Sequence, residues 1–195
     1  MFRACAVCLA FAVACARPLT EITPARDVGP VAAAAPIWAA VIESAFPGSA
    51  RVVMVATTID LSRAPRDASS WVARRLPSDS AAMLSMLERN RSATSFAPSA
   101  YSDPHVVVLD EAGLRRVPPS RTGAPDEYFM NLARVYPGVQ GVLRIAFPGV
   151  SEDGRTAFAY IQFACGGLCG WEDGFTLERE EYGWVVVARR RYSVI

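Results

Sequence analysis

The chain of 195 residues is 52% hydrophobic and 20% charged, a composition typical of one folded globular domain rather than of a disordered protein. Its 20 basic and 19 acidic side chains nearly cancel, which excludes an overall field that would attract nucleic acid. All the basic residues are arginine, so sites that depend on a lysine, such as a P-loop or a Schiff base, are excluded. The single histidine, His105, excludes sites built from several histidines.

The first sixteen residues have the pattern of an export signal. Arg3 precedes an apolar run from Ala4 to Ala16, which is too short to span a membrane and matches the charged and apolar regions of a secretory signal. The run contains the sequence AVAC, which resembles the lipobox of bacterial lipoproteins, whose cysteine is lipidated. This interpretation predicts a lipoprotein-type signal peptide over residues 1–16, with Cys15 as the lipid anchor. Cleavage of an ordinary A-x-A signal and a buried N-terminal helix are the alternatives.

A flexible tether is predicted over residues 17–35, because this segment is rich in proline and alanine and has no apolar period. A tether that directly follows Cys15 favours the lipoprotein interpretation. The remaining residues, 36–195, are predicted to form a single domain.

Apolar residues spaced by about 3.6 positions predict three helices in this domain. The first begins at Pro36, the second follows the capping residues 78–80, and the third follows Pro125. Their apolar stripes indicate faces that pack on a core rather than cofactor sites.

Strands are predicted where β-branched and aromatic residues cluster between turn residues. Two lie between the helices, at 51–58 and 105–109, and four follow in the last third of the chain, at 141–147, 156–164, 175–180 and 184–191. Short connections make the last four antiparallel neighbours, which predicts a four-stranded meander. The strand at 156–164 is apolar on both faces, so we expect both faces to be covered. The order of elements predicts an α+β fold, with N-terminal helices packed on a C-terminal four-stranded antiparallel meander of the cystatin-like or NTF2-like kind.

The sequence FACGGLCGWEDGF, residues 163–175, is predicted to connect the second and third strands of the meander. Its glycines at positions 166, 167, 170 and 174 are expected to provide positive φ angles and a sharp reversal of the chain.

Cys165 and Cys169 are the only cysteines that follow the predicted signal, and an isolated pair in an exported protein is expected to be oxidised. The sequence therefore predicts a disulfide that fixes the turn. The alternatives are a thiol-disulfide redox centre, a metal site with His105 and either Glu172 or Asp173, and a cysteine nucleophile with His105 as its base. Redox pairs are normally Cys-x-x-Cys at a helix N-terminus, and a structural zinc usually has four Cys or His ligands.

Residues 156–195 resemble the C-terminal part of a family of uncharacterised bacterial exported or lipoprotein-type proteins. The shared features are a strand, the motif C-G-x-L-C-G, a second strand, a turn, a G-x-W-x-V-V strand and an aromatic-Ser ending. The matching residues are Cys165, Gly166, Leu168, Cys169, Gly170, Trp184, Val186, Val187, Tyr192 and Ser193. The chain departs from the pattern at Trp171-Glu172-Asp173, where small residues are expected, and at Gly183, which directly precedes Trp184. The resemblance implies export and an important cysteine turn, and it implies no activity.

These observations favour a non-catalytic binding or structural domain on the periplasmic side of the cell envelope, anchored to the membrane through Cys15. Its partner is expected to be a protein or a small molecule, contacted through Trp171, an aromatic residue beside two acids on the cysteine turn. No catalytic residue, metal, cofactor or nucleic acid is expected. The alternative is an enzyme with a pocket between sheet and helices, which would use His105 with Cys165, Cys169 or nearby carboxylates.

Overall fold

A computed structural model of the protein describes residues 29–48, 50–62 and 80–194. The predicted signal peptide, Cys15 and the first part of the predicted tether lie outside these residues. The described helices are α1 (Pro30–Ala45), α2 (Ser80–Arg89), α3 (Glu111–Leu114) and α4 (Pro125–Val135). The strands are β1 (Arg51–Val55), β2 (Val106–Leu109), β3 (Val139–Ile145), β4 (Gly149–Val150), β5 (Thr156–Gly166), β6 (Cys169–Glu180) and β7 (Gly183–Val194). The fold is α+β, and within the described ranges no helix is long and apolar enough to cross a membrane.

The strands form one mixed sheet of seven strands, in the order β2-β1-β3-β5-β6-β7, with β4 paired to β5. β1 pairs in parallel with β2 and β3, whereas β3, β5, β6 and β7 are antiparallel neighbours. The sheet is therefore larger than the predicted four-stranded meander. The difference arises because parallel strands require long connections, which the chain supplies. The β1–β2 connection contains α2, and the β2–β3 connection contains α3 and α4.

Helix α1 packs on one face of the sheet. Its buried residues recur at helical spacing and are Ala34, Ile37, Trp38, Val41 and Ile42. The indole Nε1 of Trp38 donates a hydrogen bond to the Ala146 carbonyl at 3.0 Å, which satisfies a buried donor between α1 and the sheet.

The start of α1 differs from the prediction, because the helix begins at Pro30 and includes the last six residues of the predicted tether. Proline fits the first position of a helix, and the alanines that follow have the highest helix propensity. Pro36 lies inside the helix on its exposed side. Burial of Ala34 against the core supplies the packing that the composition of this segment did not reveal.

Helices α2 and α4 cover the opposite face of the sheet. Met83 and Met86 of α2 pack on Phe158 of β5, and Leu132 of α4 packs in a cluster with Val53 and Leu109. Strand β5 is thus covered on both faces, as its doubly apolar sequence predicts.

The end of α2 is fixed to the sheet by a buried asparagine. The Asn90 side-chain amide donates to the Met86 carbonyl at 2.7 Å and to the Phe147 carbonyl at 2.8 Å, and its Oδ1 accepts from the Phe147 backbone N–H at 2.8 Å. The helix backbone also approaches β4 closely, because a Cβ atom at Gly149 would lie 1.9 Å from the Ala82 carbonyl oxygen. Only glycine fits this contact without movement of α2.

Candidate disulfide turn and neighbouring clefts

Cys165 and Cys169 form a disulfide, with their Cα atoms 5.1 Å apart. Strand β5 continues to Gly166 and β6 begins at Cys169, so only residues 167 and 168 lie outside the strands. We call residues 165–169 the disulfide turn. The prediction that residues 163–175 form the connection is wrong, because most of that segment is extended and lies in the paired strands β5 and β6.

The glycines of this segment have a different role from the predicted one. None of those at 166, 167, 170 and 174 is among the described glycines with positive φ. A Cβ atom at Gly174 would instead lie 2.6 Å from Tyr192 Cε2 and 2.7 Å from Phe158 Cζ. A Cβ at Gly166 would lie 2.8 Å from Asp126 Oδ1. Glycine is therefore needed at these two positions for close approach of side chains rather than for chain reversal.

The disulfide turn is fastened to helix α4. The backbone N–H of Gly167 donates a hydrogen bond to Oδ1 of Asp126 at 2.7 Å, and Asp126 lies in the first turn of α4. Three interactions therefore restrain the turn: the disulfide, the β5–β6 pairing and this hydrogen bond. At its tip, the side chain of Leu168 is 94% exposed.

A largely apolar cleft of about 330 Å³ lies beside the disulfide, between α4 and the ends of β3 and β5. It is lined by Asp126, Phe129, Met130, Ala133, Val139, Gln140 and Cys165. Met130 on its wall is 55% exposed. Met130 is thus an exposed apolar side chain on the wall of a cleft that suits an apolar group, and Leu168 is a second one on the disulfide turn, whose Cys165 lines the same cleft.

Trp171 lies inside β6 rather than on the turn, and it is half-buried. Its ring centroid is 5.3 Å from that of Phe163 and 5.6 Å from that of Phe46. The guanidinium carbons of Arg189 and Arg191 lie 5.1 and 4.9 Å from the same centroid. Most of the ring therefore supports the fold, and its exposed part is what a partner could touch.

Asp173 is completely buried and neutralised by two arginines of β7. Arg189 Nη2 lies 2.6 Å from Asp173 Oδ2, and Arg191 Nε lies 2.9 Å from Oδ1. The hydrogen bond to Asp173 raises the pKa of Arg191. The neighbouring Glu172 accepts a hydrogen bond from Gln162 Nε2 at 2.9 Å. Among the described residues, no three His, Cys, Asp or Glu side chains gather in an arrangement that could hold a metal ion.

His105 lies far from the disulfide turn. It is exposed, directly before β2, and β2 is separated from β5 by β1 and β3. Three strand spacings of about 4.8 Å place the two strands about 14 Å apart. Both sulfurs are held in the disulfide, so in this state neither is a thiolate nucleophile for His105 to activate.

His105 instead lines a second cleft of about 310 Å³, together with Glu43, Phe46 and Asp103. Asp103 Oδ1 accepts the backbone N–H of His105 at 2.7 Å, so this carboxylate holds the turn before β2. Burial, followed by the Asp103 charge, raises the pKa of Tyr101 in the same loop.

Asp126 is a residue of the site that the sequence does not predict, because it lies 41 positions before its partner Gly167 and no local pattern joins them. Leu168 is predicted only as part of the C-G-x-L-C-G motif; the signal for a contact role is that it is the only large apolar side chain between the two cysteines. Comparison of the chain with protein-family models, with curated proteins and with solved structures finds no match in any of the three.

Proposed function

We propose that this protein is an exported, non-catalytic binding protein of the cell envelope, and that it contacts an apolar group of its partner through the disulfide turn and the cleft beside it. The observation that carries the proposal is the exposure of Leu168, at 94%, on a turn restrained by a disulfide and by Asp126. An exposed apolar side chain on a rigid turn loses little conformational entropy on binding, which favours affinity.

The parts of the surface have separate roles in this proposal. Leu168 and Met130 supply apolar contacts, and the cleft that Met130 and Cys165 line receives an apolar group of the partner. Trp171, two residues after the turn, packs against Phe46 and Phe163, and its exposed edge adds to the contact with the partner. The disulfide is consistent with an oxidising compartment, and therefore with export. The lipobox-like sequence AVAC supports lipidation at Cys15.

We also propose a fold of the cystatin-like or NTF2-like kind. The packing of α1 on one face of the sheet, with its buried residues in the main core cluster, supports a cystatin-like or NTF2-like arrangement. The parallel pairing of β1 with β2 and β3 would be an addition to it.

A photo-reactive phenylalanine analogue in place of Leu168 tests the contact in living cells. Leu84 on α2 is the matched control position, because it is also an exposed leucine, at 58%. We expect a discrete cross-linked adduct from position 168 and none of that size from position 84. Replacing both Cys165 and Cys169 by serine should weaken the adduct. Equal adducts from both positions would contradict a specific contact.

Metabolic labelling with palmitate tests the location. We expect the native chain to take up the label and to fractionate with the envelope, and the Cys15→Ser variant to lose the label. A chain that keeps its first sixteen residues and stays in the cytoplasm would refute the exported part of the proposal.

The enzyme alternative depends on the second cleft, where His105 is near Glu43 and Asp103. His105→Ala separates the two functions. The binding proposal predicts that this variant keeps the full adduct at position 168, because two strands separate β2, which His105 precedes, from β5, which enters the turn. If His105→Ala keeps the adduct at position 168 but no longer restores the phenotype that the native chain restores to cells lacking it, the enzyme would be favoured instead.

A further inference from the structure

A line of polar side chains crosses the face of the sheet on which α2 and α4 pack. Residues directly opposite each other in antiparallel strands project on the same side of the sheet, and four polar residues are opposite one another on successive strands. They are Arg144 of β3, Gln162 of β5, Glu172 of β6 and Ser193 of β7. We call these four residues the polar row. Three strand spacings give it a length of about 14 Å.

The polar row lies between two apolar clusters of the same face. On one side, Phe158 of β5 packs with Met83 and Met86 of α2. On the other side, Val142 of β3 packs with the cluster that contains Leu132 of α4. The two clusters share no member among the described residues. The polar row is therefore located between the two helices rather than under the packed surface of either.

Contacts within the row hold several of its polar atoms in place. Gln162, Glu172 and Ser193 are half-buried. The Gln162 Nε2 donates a hydrogen bond to Glu172 Oε1 at 2.9 Å, and the Tyr160 hydroxyl is close enough to interact with both side chains. Burial raises the pKa of Tyr160, so its hydroxyl stays neutral and can both donate and accept. A ligand would meet these groups already oriented.

Arg144, at one end of the row, differs from the other three residues. It is exposed, and its side chain forms no hydrogen bond or ion pair with another residue in the described part of the chain. Its guanidinium donors are thus available to a ligand that lies along the row.

Tyrosine rings stand on both sides of the polar row. Tyr160 and Tyr192 pack at the edge of the Phe158 cluster, with their ring centroids 6.1 Å apart. On the α4 side, burial raises the pKa of Tyr128, and the positive charge of Arg144 opposes this rise, so these two side chains are near each other. Each ring combines an apolar body with a polar tip.

The mixture of groups restricts the class of ligand. Arg144 only donates and the Glu172 carboxylate only accepts, whereas Gln162 and the hydroxyls do both. An anion would be placed beside Glu172, a cation beside Arg144, and an apolar group would leave all of them without partners. A sugar hydroxyl both donates and accepts, and the C–H face of a sugar ring packs well on an aromatic ring. We propose that the polar row, with Tyr160 and Tyr128 on its two sides, binds a neutral saccharide.

Saturation-transfer NMR of the full chain with maltotriose, cellotriose and triacetylchitotriose tests the proposal. We expect at least one of them to bind, and Glu172→Gln to raise its Kd by about tenfold or more through loss of a charged acceptor. Glu178→Gln is the matched control, because it removes another β6 carboxylate six positions away on the same face, and it should leave the Kd unchanged. Arg144→Ala should also raise the Kd by about tenfold without a change in urea unfolding.

Three outcomes overturn the proposal. The first is that none of the three saccharides binds at concentrations up to about 10 mM. The second is an equal effect of Glu172→Gln and Glu178→Gln. The third is tighter binding of inorganic phosphate or acetate, which would make the row an anion site. The cleft beside the disulfide is lined by other residues, so cross-linking at Leu168 can succeed or fail independently of this result.

Discussion

The backbone N–H of Gly167 donates a hydrogen bond to Oδ1 of Asp126 at 2.7 Å, and this contact joins the disulfide turn to the first turn of α4. The two residues are 41 positions apart. Because α4 is also a wall of the apolar cleft, the position of the exposed Leu168 and the shape of the cleft depend on the same carboxylate.

Asp126→Ala removes this acceptor. We expect it to lower the free energy of unfolding by about 1 kcal/mol, the usual net value of one hydrogen bond, and to speed hydrogen exchange at Gly167 and Leu168. Asp126→Asn keeps an oxygen acceptor, so its unfolding free energy and exchange rates should lie between those of Asp126→Ala and those of the native chain. Denaturant unfolding and exchange by mass spectrometry measure both effects. Native exchange rates in Asp126→Ala would show that the turn does not need α4.

Asn90→Ala removes three buried hydrogen bonds at once and leaves the Phe147 N–H without its acceptor. We expect a loss of about 3 kcal/mol in unfolding free energy, because an unsatisfied buried donor adds its desolvation penalty to the lost bonds. Ser92→Ala, at an exposed position two residues later, is the control and should change little. A loss below about 1 kcal/mol in urea unfolding would mean that water replaces the amide.

Gly149→Ala places a Cβ atom 1.9 Å from the Ala82 carbonyl oxygen and 2.2 Å from the Met86 backbone nitrogen. Both neighbours are backbone atoms, so α2 must shift as a unit. We expect destabilisation of at least about 2 kcal/mol by overpacking. At Gly167 a Cβ would come no closer than 3.5 Å to its neighbours, so Gly167→Ala is the matched control. Equal melting temperatures for the two variants would exclude the close approach of α2 to β4.

Glu127 gives a pH-dependent prediction. Its carboxylate accepts hydrogen bonds from the Thr122 backbone N–H, the Ser120 hydroxyl and the Thr122 hydroxyl, which lower its pKa from 4.5 to about 2. A carboxylate whose pKa is lower in the folded state stabilises the fold above its unfolded pKa and loses that contribution as pH falls. Glu127→Gln should therefore be less stable than the native chain at pH 6, and the difference should shrink between about pH 4.5 and 2.

Urea unfolding at a series of pH values measures this difference, with Glu152→Gln as the control for a change of net charge. A gap between Glu127→Gln and the native chain that stays constant down to pH 2 would mean that the ionised carboxylate is not what the loop binds.

The sequence predicts what depends on neighbouring residues. The valine-rich runs predict β1 and β2, and the helix predicted to follow Pro125 is α4, which includes this proline as its first residue, because strand propensity and helix-start preferences are local. The doubly apolar pattern of β5 indicated that both of its faces are covered, and an isolated cysteine pair after a predicted export signal indicated the disulfide.

What the sequence did not predict depends on distant pairing. A cluster of glycines is compatible with either a long turn or a paired strand, and only the contact with β5 and β7 makes residues 169–175 part of β6. Asp173 was expected to be a turn carboxylate, but the register with β7 buries it between two arginines. Parallel pairing of β1 was likewise hidden, because alternation along a strand does not name its neighbours.

The pairing of Asp173 with Arg189 and Arg191 also makes β6 and β7 depend on each other for stability. An isolated buried carboxylate is strongly unfavourable, so β6 is stable in the sheet only while the arginines that lie 16 and 18 positions later are in place beside it. We therefore expect the two strands to enter and leave the sheet together, as one cooperative unit of local unfolding.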